Sequence, residues 1–347
     1  CDENMFITQL KGLENNFTNF FEFRAGGFNY LPLFLFIYFS NSDLLFSNTD
    51  LLIIGRIFYL VIISSGTVFF IYKISYLLTE NIKLSLLSSF LFVFSSYYFA
   101  VSRYWYPDHY IYFFSSIFFY YLLKILKNEK VNILDLSFFV FLFAILLSIK
   151  YTTILLFPAF GFILYKIIKT NFYVNYKNFI FINLRLLLIF IITISIFNIG
   201  IFFNISEFIN DFKFNLNHYG GYSNEFLLDS FLYYFLTLFL MPATFFASPY
   251  IFLGLNFLRT RNLLIFSSIV FIILFFLLYL GLNSGLALHR NVSVFIPLIF
   301  PLIAIGVHKS LYLLNSNYIK LFSYYYFLIF LSYFIFCYFT SFSNSIK

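Results

Sequence analysis

Long apolar blocks recur along the chain with short polar breaks between them, and that pattern predicts helices. The blocks fall at about 52–78, 84–101, 109–126, 133–149, 151–168, 180–203, 242–258, 263–282, 291–307 and 321–341. Each approaches the ~20 residues a helix needs to cross a hydrocarbon core of roughly 30 Å. Within lipid, backbone polar groups must be satisfied inside the protein, which leaves helices or a closed barrel. A barrel is built from short segments that alternate apolar and polar residues. Stretches such as Ser267–Gly281 do not alternate. The expected fold is therefore all-α: a polytopic transmembrane helical bundle of about 10 spans, in a single membrane domain over residues 1–347. Residues 1–50 read as a first extracytoplasmic loop with interfacial helices, Leu31–Phe39 being too short to span. Residues 51–203 and 242–347 carry the transmembrane helices. Between them, 204–241 reads as an extracytoplasmic loop that ends in an amphipathic or interfacial stretch around Phe226–Leu240.

Composition strengthens this picture. The chain is 62% hydrophobic and only 10% charged, against about 25% charged in soluble domains. Phe (59) and Tyr (30) are abundant while Gly (13) and Trp (1) are scarce. That bias is what an AT-rich coding sequence produces, so the aromatic content does not argue for a nucleic-acid stacking surface. The formal charge of +7 has a membrane explanation too. If residues 1–50 lie outside and the spans alternate, Lys83, Lys124, Lys127, Lys130, Lys166, Lys169, Arg259 and Arg261 all fall at cytoplasmic ends, and most acids fall outside, as the positive-inside rule requires. Nucleic acid is thus not an expected partner; membrane lipids are. The predicted location is the cell (inner) membrane, multi-pass, with the site on the extracytoplasmic or periplasmic face. The chain begins at Cys1 and its polar start falls outside, so a first membrane helix is expected to precede it. Cys1 and Cys337 lie at opposite ends and define no metal spacing.

The outer face collects the unusual polar residues. Asp2 and Glu3 form an acidic pair at the membrane boundary; a carboxylate there can act as a general base if it reaches the proton it takes, or can simply flank a helix. Ser102–Asp108 joins two predicted spans. Within it Pro107 favours an extended Tyr106, and Asp108 suits the cap of the following helix. Arg103 can bind a phosphate or snorkel to the interface. Lys150 interrupts an apolar run, and an ionisable residue at the end of a span marks a candidate site. His218-Tyr219-Gly220-Gly221 lies in the outer loop, and His289-Arg290 precedes the ninth block, where Arg can grip a phosphate through two donors. No P-loop, GxSxG, HExxH or GxGxxG element is present. ATP-driven transport, serine hydrolysis and zinc proteolysis therefore have no sequence support. Neither the four histidines nor the acids cluster as metal ligands; no cofactor is expected, though a divalent metal is not excluded.

Taken in order, these segments resemble the GT-C superfamily of glycosyltransferases, in particular family 39 and its bacterial relatives, the protein O-mannosyltransferases and lipid A aminoarabinose transferases. The matching segments are Cys1-Asp2-Glu3, Phe28–Leu33, Ser102–Asp108, Ser148–Thr152, His218-Tyr219-Gly220 and Arg290–Pro301. The resemblance implies a polyprenyl-phosphate-linked sugar donor and a lipid, glycan or protein acceptor. It implies Asp2 as general base, supported by Glu3, and Asp108 as a second acidic site residue. Arg103, Lys150 and Arg290 would hold the donor phosphate, with His218, His289 and Tyr106 as possible substrate contacts. Two departures matter. The Lys-Pro-Pro-Leu element of the aminoarabinose transferases reads Tyr30-Leu31-Pro32-Leu33 here, which argues against that substrate, and there is no Asp-x-Asp pair. The competing readings are a transporter or flippase of a lipid-linked glycan, whose ionisable residues belong near mid-membrane, and a glycan polymerase or ligase, which favours a basic outer loop. The 204–226 loop instead carries one lysine, Lys213, against Glu207, Asp211 and Glu225.

Overall fold

The computed structural model describes residues 53, 57–95, 108–170, 176–198, 205–206, 209–210, 213, 228–240, 247–283, 289–313, 320, 323–333 and 335. Among the described residues the chain is all-helical, without strands. The main helices are α1 (Ser64–Thr79), α2 (Ile82–Val93), α3 (Asp108–Lys127), α4 (Ile133–Ile149), α5 (Pro158–Lys169), α6 (Tyr176–Phe197), α7 (Leu228–Leu240), α8 (Ser248–Arg261), α9 (Leu263–Asn283) and α10 (Ile296–His308). Five helical stretches among the described residues are long and apolar enough to cross a membrane: Val61–Thr79, Tyr151–Lys169, Phe179–Phe197, Leu263–Gly281 and Val292–Leu311. The helix α2, with 12 residues, is shorter than the block 84–101 that predicts it.

Local signals place the boundaries. Asn81 caps α2 by accepting from the N–H of Lys83 (2.9 Å) and Leu84 (3.3 Å). Asn132 caps α4 through the N–H of Leu134 (2.9 Å), and the Asn262 side chain accepts from the Ile265 N–H at 3.1 Å as α9 begins. Each satisfies donors that a helix start otherwise leaves orphaned. Pro158, Pro249 and Pro297 stand in the first turns of α5, α8 and α10, where the missing N–H costs nothing. The run after Lys150 is a 3-10 turn, Tyr151–Leu156, and becomes α-helical only at Pro158.

Three pairings fix which ends meet. The pair α1–α2 is an antiparallel hairpin turning at Glu80-Asn81, with the Ser89 hydroxyl donating to the Val68 carbonyl at 3.2 Å. The pair α3–α4 is a second, with Phe118 stacked on Phe139 at 4.6 Å and Lys124 bonded to Asp135 at 2.8 Å. Parallel to α4 runs α6, through Phe143–Phe190 at 6.1 Å and Asn198–Ser148 at 2.7 Å. One end of the body therefore holds the Glu80 turn, the 128–132 connection and the last turns of α5 and α8; the other holds the start of α3 and the ends of α4 and α6.

One expectation is refined and one changes. Of the stretch read as amphipathic or interfacial, Leu228–Leu240 is the helix α7, which packs along α9 and the 289–295 turn, with Tyr234 and Leu238 fully buried. Its Phe and Leu side chains cover more than one face, so it can bury one while exposing Leu232 and Leu236. Strict alternation of spans would also make α8 and α10 cross in the same sense. They are antiparallel where they touch: a Cβ on Gly254 would collide with the Leu302 carbonyl, and one on Gly306 with the Tyr250 carbonyl. The paired glycines let the two backbones meet in this register and no bulkier residue would. At the centre, α10 also packs on α1, α2 and α3.

Candidate functional site

Lys150 is the one predicted site residue whose side-chain environment is described. It directly follows α4 in extended conformation (φ −152°, ψ 120°) and closes the helix with its N–H on the Leu146 carbonyl at 2.9 Å. Its own carbonyl accepts from the Thr153 N–H (3.0 Å) and hydroxyl (2.8 Å), which starts the 3-10 turn. The side chain is half-buried. Asp108 is the first residue of α3. Since α3 and α4 are antiparallel and joined at 128–132, Asp108 and Lys150 stand at the same end of that hairpin. His289 and Arg290 open the 3-10 turn His289–Phe295, which packs on α3 through Phe295 and Phe119 (5.9 Å between centroids). Asp2, Glu3, Arg103, Tyr106 and His218 lie outside the described residues.

Beside Lys150 the structure adds a residue that the sequence reading missed. Asn198, 4% exposed, follows the last residue of α6 and donates from Nδ2 to the buried Ser148 hydroxyl at 2.7 Å. Ser148 in turn donates to the Ala144 carbonyl at 2.9 Å. The Asn198 Oδ1 is buried with no hydrogen-bond partner among the described residues. An amide acceptor left unsatisfied in an apolar interior is costly, so this atom is suited to receive a donor such as a hydroxyl or ammonium group. The signal in the sequence was an Asn inside the apolar block 180–203.

The opposite end is electrostatically different. There Lys127 Nζ binds the Glu80 carboxylate at 2.6 Å and the Leu77 carbonyl at 2.7 Å, Arg261 approaches Glu80 at 3.9 Å, and Lys124 bonds to the buried Asp135. Hydrogen bonding and charge from Lys127, with a smaller contribution from Arg261, hold the Glu80 carboxyl below its usual range. These pairs tie α1 to α3 and α8, and α3 to α4; they are structural. Among the described residues no three His, Cys, Asp or Glu side chains form a group that could hold a metal ion.

No family model matches this sequence, and no curated protein matches it; the site is therefore read from its own residues.

Proposed function

We propose that this protein is an integral membrane glycosyltransferase of GT-C type that moves a sugar from a polyprenyl phosphate to a lipid, glycan or protein hydroxyl on the extracytoplasmic side, within a multi-pass bundle of about ten spans. The observation that carries the reading is the placement of Asp108 and Lys150 at the same end of the α3–α4 hairpin, remote from the structural ion pairs. An acid and a cation at one rim of an apolar helical body suit a reaction between a lipid-bound phosphate ester and a polar acceptor. The ordered sequence elements described above support it as well.

In this reaction the acceptor oxygen attacks the anomeric carbon, the bond to the phosphate oxygen breaks, and polyprenyl phosphate leaves with the electron pair. The acceptor proton passes to a carboxylate, assigned to Asp2 with Glu3 beside it and Asp108 as the second acid. The displacement inverts the anomeric centre. Lys150, Arg103 and Arg290 stabilise the charge that grows on the leaving phosphate, an effect that preorganised cations exert most strongly in a water-poor site. His218, His289 and Tyr106 are assigned as further substrate contacts.

Membranes containing the protein, incubated with radiolabelled polyprenyl-phosphate hexose, test the proposal. Wild type is expected to lose label from the donor to a product, and Asp2→Asn to abolish transfer while remaining inserted. Lys150→Gln should raise the donor KM by about tenfold, the value of one charge-assisted contact, with the acceptor KM unchanged. Wild-type activity in Asp2→Asn would remove that residue as base. No turnover across a panel of donors and acceptors would move the assignment to a flippase of the same lipid-linked sugars, measured next as donor translocation in vesicles.

A further inference from the structure

Between α5 and α9, along α5 from Pro158 to Lys169, lies a groove of about 650 Å³, within the roughly 300–1,000 Å³ range of small-molecule sites. Its walls are Gly161, Phe162 and Lys169 of α5 and Leu264, Ser267 and Phe271 of α9. Phe162 and Phe271, both in its lining, meet edge to face at 5.9 Å. Both helices belong to stretches long and apolar enough to cross a bilayer, and the neighbouring Ile168, Leu263 and Phe275 are exposed, so the groove faces where lipid would lie. At Gly161 a side chain would meet nothing within 4 Å; the absent side chain is part of the opening.

The groove is apolar along its length and cationic at one end. Lys169 is the last residue of α5 and Lys166 lies one turn earlier, while Arg259 and Arg261 close α8 just before α9 begins. No acidic side chain pairs with Lys169 among the described residues. This contrasts with Lys124 and Lys127 at the same end, which are both held by carboxylates.

We propose that this groove binds an anionic membrane phospholipid, with an acyl chain between Gly161 and Phe271 and the headgroup phosphate against Lys169. Basic pockets between membrane helices recognise acidic headgroups in this way. The charge complementarity selects the anionic lipid, and the apolar walls select a lipid over a free anion. Lipid binding here does not depend on sugar transfer and requires only that the body sit in a bilayer.

Native mass spectrometry of the full chain in detergent, with phosphatidylglycerol or phosphatidylcholine of identical chains added, tests it. Wild type is expected to retain phosphatidylglycerol in clear preference. Lys169→Gln should weaken phosphatidylglycerol binding about fivefold, the effect of one basic residue at a headgroup, and leave phosphatidylcholine unaffected. Gly161→Leu, which grows into open space and should keep wild-type helicity by circular dichroism, should weaken both lipids equally. Equal retention of the two lipids by wild type, unchanged binding in both variants, or displacement by inorganic phosphate alone would overturn the proposal.

Discussion

The helices α10 and α6 both lie in long apolar stretches and are opposites in the fold. Each belongs to a stretch long and apolar enough to cross a bilayer, yet 89% of the most apolar window of Val292–Leu311 is buried inside the protein against 6% for Phe179–Phe197. Apolar character does not separate them, since lipid tails are as apolar as leucine and give no hydrophobic drive for one helix to enter the centre. What differs is the capacity for close approach. Gly306 on α10 meets the Tyr250 backbone, and Gly254 of α8 meets the Leu302 backbone. On α6 the outward positions carry Phe181, Leu184, Leu187, Leu188 and Ile191, all exposed. It packs extensively along α4, including Phe190 on Phe143 and Asn198 on Ser148, and on little else among the described helices. Centrality in this body follows from small residues that let backbones approach closely.

The sharpest way to break that contrast is to fill the glycine contact. Gly306→Leu places a branched side chain against the Tyr250 carbonyl, and overpacking of this kind against a backbone exceeds the ~1–3 kcal/mol typical of cores. The expected result is loss of monodisperse protein in detergent, by size-exclusion chromatography. A well-folded Gly306→Leu would mean that α8 and α10 do not touch. Next in size is a matched truncation. Phe300, fully buried and set edge to face against Phe92 at 5.3 Å, should lose about 3–4 kcal/mol as Phe300→Ala. Leu188→Ala on α6, at a side chain 59% exposed, should stay within about 0.5 kcal/mol. Unfolding in mixed micelles measures both, and similar costs at the two sites would erase the distinction between the helices.

Sequence reading recovered the helices better than their roles. The block 133–149 matches α4 residue for residue, and 109–126 and 263–282 lie within one residue of α3 and α9 at each end, because polar breaks carrying Asn132 and Asn262 punctuate the apolar runs. It read 151–168 as one span and did not foresee the 3-10 entry, since Lys150 and Thr153 shape that turn through backbone bonds that hydropathy does not register. It could not tell the centre from the edge, since α10 and α6 both lie in long apolar runs, although in a chain with 13 glycines the positions of Gly254 and Gly306 were a usable clue. At the candidate site, Lys150 stood out as a charge in an apolar run, whereas Asn198 was masked among apolar neighbours and acquired meaning only through Ser148, 50 residues away.

The smallest effect belongs to the charged rim, where neither close packing nor lipid decides. Glu80 has a left-handed backbone (φ 57°) at the turn from α1 to α2, and its carboxylate meets Lys127 in the open. Its pKa lies below the usual 4.5 when folded, owing first to the hydrogen bond from Lys127. A depressed carboxyl stabilises the fold at pH above its unfolded value, and that contribution disappears as pH falls through the folded value. The gap in unfolding midpoint between wild type and Glu80→Gln should therefore be present at pH 6 and close in the acid range below 4.5. It should be smaller than the Phe300→Ala effect throughout, since exposed pairs are screened by water and salt. A gap that widens on acidification would show that Glu80 acts through the strained turn rather than through Lys127, and would make the rim a matter of backbone geometry, as the α8–α10 contact is.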